Sequence, residues 1–75
     1  MAMDIETLNY EAMTDILTNA VNDGFDADWR LALAPLLSDC GAGTDPIEAH
    51  DKCAAHILTC SAADLKRYLD HVYNS

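Results

Sequence analysis

Seventy-five residues with thirteen acids against four bases carry a net charge of −9, a balance that argues against direct binding to nucleic acid or to an anionic membrane. About half of the residues, 51%, are apolar, enough for one small core and too many for a disordered chain. The longest apolar run, 31–37 interrupted by Pro35, falls far short of the roughly 20 residues a membrane span needs.

The opening residues, MAMDIETLNY, hold neither a basic region nor an apolar run, so no secretory signal is expected. The first helical segment is predicted from about Asp4 to Val21. Ile5, Leu8, Ala12, Met13, Ile16, Leu17, Ala20 and Val21 recur at three- and four-residue steps. Asp4 is the expected N-cap, Asn9 is a point of interruption, and Asn22-Asp23-Gly24 is a stop signal.

The second segment is predicted from about Ala27 to Asp39. Asp26 is the expected N-cap, and Asp28 adds negative charge where the helix dipole favours it. Trp29, Leu33, Leu36, Leu37 and Cys40 share one face. Pro35 lies inside and should kink or split the helix, with Gly41 and Gly43 ending it.

The third segment, Pro46 to Thr59, has the clearest start. Asp45 caps it, Pro46 suits the first helical position, and Glu48 completes a D-x-x-E capping box. The fourth runs from about Ala62 to Tyr73 behind a Ser61 cap, with Leu65, Tyr68, Leu69 and Val72 at i, i+3, i+4 and i+7. No segment alternates with the two-residue period of a strand. The predicted fold is therefore a single all-α domain, residues 1–75, a compact bundle of four short helices or five if Pro35 splits the second.

One stretch, AHDKCAAHILTC (49–60), resembles a metal site. On a helix, Cys53, Ile57 and Cys60 form one stripe, widened by His50, Ala54, Ile47 and Leu58, with His56 at its edge. Cys53 and Cys60 lie seven residues apart, roughly 10.5 Å along the axis. Two sulfurs on one zinc stand within about 4.6 Å of each other, so one helix cannot supply the set. Further ligands would have to come from Cys40 or His71. The expectation is that Cys53 and Cys60 are small buried hydrophobes, His50 is a hydrogen-bonded core or boundary residue, and no metal or other cofactor is bound. A Cys–His nucleophile would need an electropositive, partly open setting and an oxyanion pocket. Neither is legible, so the chain is read as a binding protein and not an enzyme.

NDGFDADW (22–29) fails as a calcium loop, because position twelve is Ala34 or Leu37 in the two registers and the bidentate acid is missing. Size, acidity and helical content are similar to the acyl carrier proteins, but their Asp-Ser-Leu carrier motif is not matched by Leu-Ser-Asp at Ser38 or Cys-Ser-Ala at Ser61. Three cysteines are an odd number at spacings that fit no disulfide framework, so free thiols in a reducing, cytoplasmic setting are expected.

The remaining signal is the placement of charge. Residues 1–51 hold eleven acids and one base, Arg30, while 52–75 hold two acids and three bases. Asp4, Glu11 and Asp15 fall at i, i+7 and i+11 along one edge of the first segment, and Thr18 and Asn22 continue it. Glu11 and Asp15 are a like-charge i, i+4 pair that costs roughly 0.2–0.5 kcal/mol. The reading favoured is a small acidic inhibitor that docks on the Lys/Arg groove of a nucleic-acid-binding protein. Its expected contacts are Asp4, Glu11, Asp15, Asp23, Asp26 and Asp28. Phage-encoded anti-restriction and anti-CRISPR proteins are similar in being short, acidic and soluble, a likeness of size and charge alone. The alternative is a homodimeric or adaptor module using an apolar helix face, with Leu31 and Tyr73 as candidate contacts. A metal-binding or carrier-type role is a lesser alternative.

Overall fold

In the computed structural model, residues 4–23 and 28–74 are described. Among the described residues a 3-10 turn, Ile5–Thr7, precedes five helices: α1 (Tyr10–Asp23), α2 (Trp29–Ala32), α3 (Ala34–Cys40), α4 (Pro46–Ile57) and α5 (Ala62–Asn74). No strand occurs among the described residues. The all-α bundle predicted from periodicity is the architecture found, in its five-helix form.

The first predicted segment is not continuous. Leu8 takes an extended conformation, φ −90° and ψ 138°, and the helix restarts at Asn9. The Asn9 side chain accepts a hydrogen bond from the Ala12 backbone N–H at 2.8 Å, so Asn9 is the cap of α1, satisfying one of the orphan donors that every helix start leaves. Asp4 makes no side-chain cap hydrogen bond, which corrects the expectation for that residue. The Asp26 cap lies outside the described residues.

The second segment splits two residues before Pro35. Leu33 joins α2 to α3 at φ −108° and ψ 15°. Pro35 then falls in the first turn of α3, where its missing N–H is not required. Gly41 closes α3 in the left-handed conformation, φ +70°, which costs glycine little and other residues more.

Two of the expected caps are made. Asp45 caps α4, accepting from Ile47 N–H at 3.0 Å. Glu48, the other half of the expected capping box, pairs with Lys52 at 3.0 Å. Ser61 caps α5, accepting from Asp64 N–H at 3.3 Å.

α1 packs against α4 and α5, α3 packs against the same two helices, and the 3-10 turn lies on α5. The core joins Met13, Leu17 and Val21 of α1 to Leu33, Leu36, Cys53, Ile57, Cys60, Leu65, Tyr68 and Leu69. Each large aliphatic side chain buried here contributes roughly 1.5–3 kcal/mol. Tyr10 ties the start of α1 to the α4–α5 turn by donating to the Cys60 carbonyl at 2.8 Å. The buried face of α4 is Ala49, Cys53 and Ile57, all 0% exposed. Ile47 and Leu58, assigned to that face from the sequence, are instead 76% and 73% exposed. At 100° per residue both lie more than about 100° round the helix from Cys53, off the stripe of Ala49, Cys53 and Ile57.

Candidate functional site

The acidic edge of α1 is opposite its packing face. Met13, Leu17 and Val21 point into the core, while Glu11 and Asp15 are exposed. At 100° per residue the two carboxylates lie about half a turn from that buried stripe. Thr18 and Asn22 continue the same outward line. Asp23, also exposed, lies to one side of it at the end of the helix. Among the described residues, Glu11, Asp15 and Asp23 form no ion pair. The four bases are engaged elsewhere: Lys66 with Glu6 at 3.5 Å, Lys52 with Glu48, Arg67 with Asp39 and Asp64, and Arg30 on the Thr44 carbonyl at 3.4 Å.

The other expected contact residues are distributed differently. Asp4 is exposed but leaves the line of Glu11 and Asp15, because the break at Leu8 takes it off the helix. It borders a shallow groove with Glu6, Lys66, Arg67 and Asp70, where α5 supplies positive charge. Asp28 is exposed at the start of α2. Asp26 lies outside the described residues. The structure therefore brings Glu11 and Asp15 together on one ridge, with Asp23 at its end, and sets Asp4 apart.

The thiols and imidazoles occupy the positions of packing residues. Cys53 is 0% and Cys60 7% exposed. His50 Nε2 meets Asn22 Oδ1 at 2.7 Å, joining α4 to α1. Burial pushes the Cys53 thiol up to about 12, with Cys40 beside it adding to the shift. Burial also raises Cys60. Among the described residues no group of three or more His, Cys, Asp or Glu side chains is placed to hold a metal ion.

A polar network that the sequence did not reveal links α3, α4 and α5. The Tyr68 hydroxyl donates to Asp39 Oδ2 at 2.5 Å, and Arg67 pairs with the same carboxylate oxygen. His56 Nε2 lies 3.0 Å from the Tyr68 oxygen. With the phenol proton directed at Asp39, the imidazole proton belongs on Nε2 and is donated to Tyr68. The hydrogen bond from Tyr68, and then that of Arg67, hold Asp39 below its ordinary carboxylate value against the opposing effect of desolvation. Burial and then the Asp39 hydrogen bond raise the Tyr68 phenol. Arg67 neutralises the Asp39 carboxylate, which also takes the Tyr68 hydrogen bond. The partners in this network stand 12 to 29 residues apart, beyond the reach of any local sequence pattern.

Comparison with protein-family models, with curated proteins and with solved structures returns no match.

Proposed function

We propose that this protein is a small acidic, non-enzymatic inhibitor that occludes a basic nucleic-acid-binding surface of a partner in the cytoplasm. The observation that carries the reading is the ridge of α1. Glu11 and Asp15 stand exposed on the face opposite the core and form no ion pair among the described residues, although a lysine at Asp15 would relieve their like-charge spacing. Asp23 extends the field at one end. Asp4, Asp26 and Asp28 complete the contact set expected from the sequence.

The mechanism is electrostatic competition. The negative field speeds encounter with a Lys/Arg groove. Carboxylate–guanidinium pairs then hold the complex where water is excluded. Capture from a bacterial lysate on the immobilised protein, followed by displacement of DNA or RNA from the captured protein, tests the reading. Affinity should fall steeply as salt rises from low to physiological strength. Affinity that barely changes would overturn the mechanism.

A second reading has its own support. Leu31, Ile47 and Leu58 are each more than 70% exposed and Tyr73 is 39% exposed, which favours an adaptor or homodimer that uses apolar contacts. Mass and melting temperature that rise with protein concentration, without salt sensitivity, would select it over the inhibitor.

A further inference from the structure

We propose that Cys40 and Cys53 form a peroxide-responsive dithiol, a modification site in which a hydroperoxide converts the pair to a reversible disulfide that staples α3 to α4. The two sulfurs lie 3.9 Å apart, on different helices. The Gly41 turn, held by Lys52 Nζ on its carbonyl at 3.2 Å, brings the end of α3 over α4. Closing to the roughly 2.05 Å of an S–S bond asks each sulfur to move about 1 Å.

The two thiols are not equivalent. Cys40 is half-buried and opens onto a groove of about 450 Å³ that Lys52, His56 and Thr59 also line. Cys53 is fully buried behind it. The accessible sulfur therefore meets the oxidant first. Cys53, kept protonated by burial, is protected from direct attack and acts second. Cys60 takes no part: among the described residues the close sulfur–sulfur approach is that of Cys40 and Cys53, whereas the Cys60 sulfur faces the Ile57 carbonyl at 3.6 Å.

The chemistry balances in two steps. Cys40 Sγ attacks one peroxide oxygen, the O–O bond breaks, and the departing oxygen takes up the thiol proton. With hydrogen peroxide this yields a sulfenic acid and water. Cys53 Sγ then attacks the oxidised sulfur, the S–O bond breaks, and hydroxide leaves with the Cys53 proton as a second water. Two thiols are oxidised by one electron each, and one peroxide is reduced by two. In a reducing compartment such bonds are transient and sensing in character.

The test exposes the native protein to hydrogen peroxide, blocks remaining thiols under denaturing conditions, and maps the peptides. The expected product has lost two hydrogens, joins Cys40 to Cys53, leaves Cys60 free, and reverts with dithiothreitol. The same treatment in guanidinium is the control. In the open chain the seven-residue Cys53–Cys60 loop is the shortest, and loop closure favours it. A Cys40–Cys53 preference present only in the folded protein supports the proposal. Cys60→Ala should leave the bond intact, and the half-exposed Cys40→Ser should abolish it. The proposal is overturned if Cys40 accumulates as sulfinic acid while Cys53 stays alkylatable. It is also overturned if the folded and denatured chains give the same mixture of pairs, or if both thiols survive peroxide that oxidises free glutathione.

Discussion

Carboxylates in two regions of this bundle have opposite circumstances. Where α3, α4 and α5 meet, each of several acids has a partner: Asp39 has Tyr68 and Arg67, Glu48 has Lys52, and Asp64 has Arg67. On α1, Glu11 and Asp15 are exposed and form no ion pair among the described residues. The contrast separates acids that the fold pairs with bases from a like-charge i, i+4 pair that it leaves to solvent. Charge counts cannot make that distinction, because all are Asp or Glu on one small acidic chain. The predictions below test whether the two regions differ in this way, beginning with the core they share.

Leu17 is fully buried in the packing face of α1, directly behind the acidic ridge. Leu17→Ala should cost about 2–5 kcal/mol, as the lost transfer energy adds to that of an incompletely collapsed cavity. A urea titration measures it. A loss under about 1 kcal/mol would mean that α1 is not locked to the rest, and that its ridge has no fixed geometry to present.

The partnered region comes next. Tyr68→Phe removes a hydroxyl that both donates to a carboxylate and accepts from His56, and should cost about 1–3 kcal/mol. Because Asp39 is held below its ordinary value of 3.8, the unfolded chain binds its proton first as pH falls. Its stabilising contribution is therefore complete above about pH 4 and is lost as pH drops through the lower folded value. Asp39→Asn should be less stable than the parent at neutral pH and should show a shallower loss of stability below pH 4. Equal acid limbs for Asp39→Asn and the parent would remove Asp39 from the acids that stabilise the fold.

The cap of α1 stands between these extremes. Asn9→Ala removes the acceptor for Ala12 N–H and should lower stability by about 1 kcal/mol. Asp4→Ala should lower it far less, because that side chain caps nothing. Thermal melts of the two variants would show which residue starts the helix.

What the sequence revealed followed from how local each cause is. Helices capped by Asp45 and Ser61, and the split near Pro35, depend on groups within a few residues, so spacing was enough. Asn9 was visible as an interruption but not as a cap, because the extended Leu8 that exposes it depends on Ile5 packing against α5. Ile47 and Leu58 were counted on the apolar face of α4, yet at 100° per residue both lie more than about 100° from Cys53, beyond the stripe that packs. The outward direction of Glu11 and Asp15 was legible from the apolar period of α1. Their lack of compensation was not, because it depends on where Lys66 and Arg67 of α5 reach. The same applies to the Tyr68–Asp39–His56 network and to the approach of Cys40 to Cys53.

The smallest expected effect discriminates most sharply between solubility and binding. Asp15→Lys replaces a like-charge i, i+4 pair with a Glu-to-Lys pair in the favourable orientation. It should raise stability by about 0.5 kcal/mol, or about 2–4 °C in Tm for a chain of this size, and the gain should shrink in high salt. Asp15 is exposed, so no packing change opposes this. If the ridge only keeps the protein soluble, the variant is a more stable protein with unaltered behaviour toward basic partners. If the ridge is the docking surface, the same substitution places a cation against a cationic groove, and displacement of nucleic acid should weaken by tenfold or more, about 1.4 kcal/mol. Higher stability together with lost inhibition would show that the acidic ridge is kept at the expense of stability because it binds.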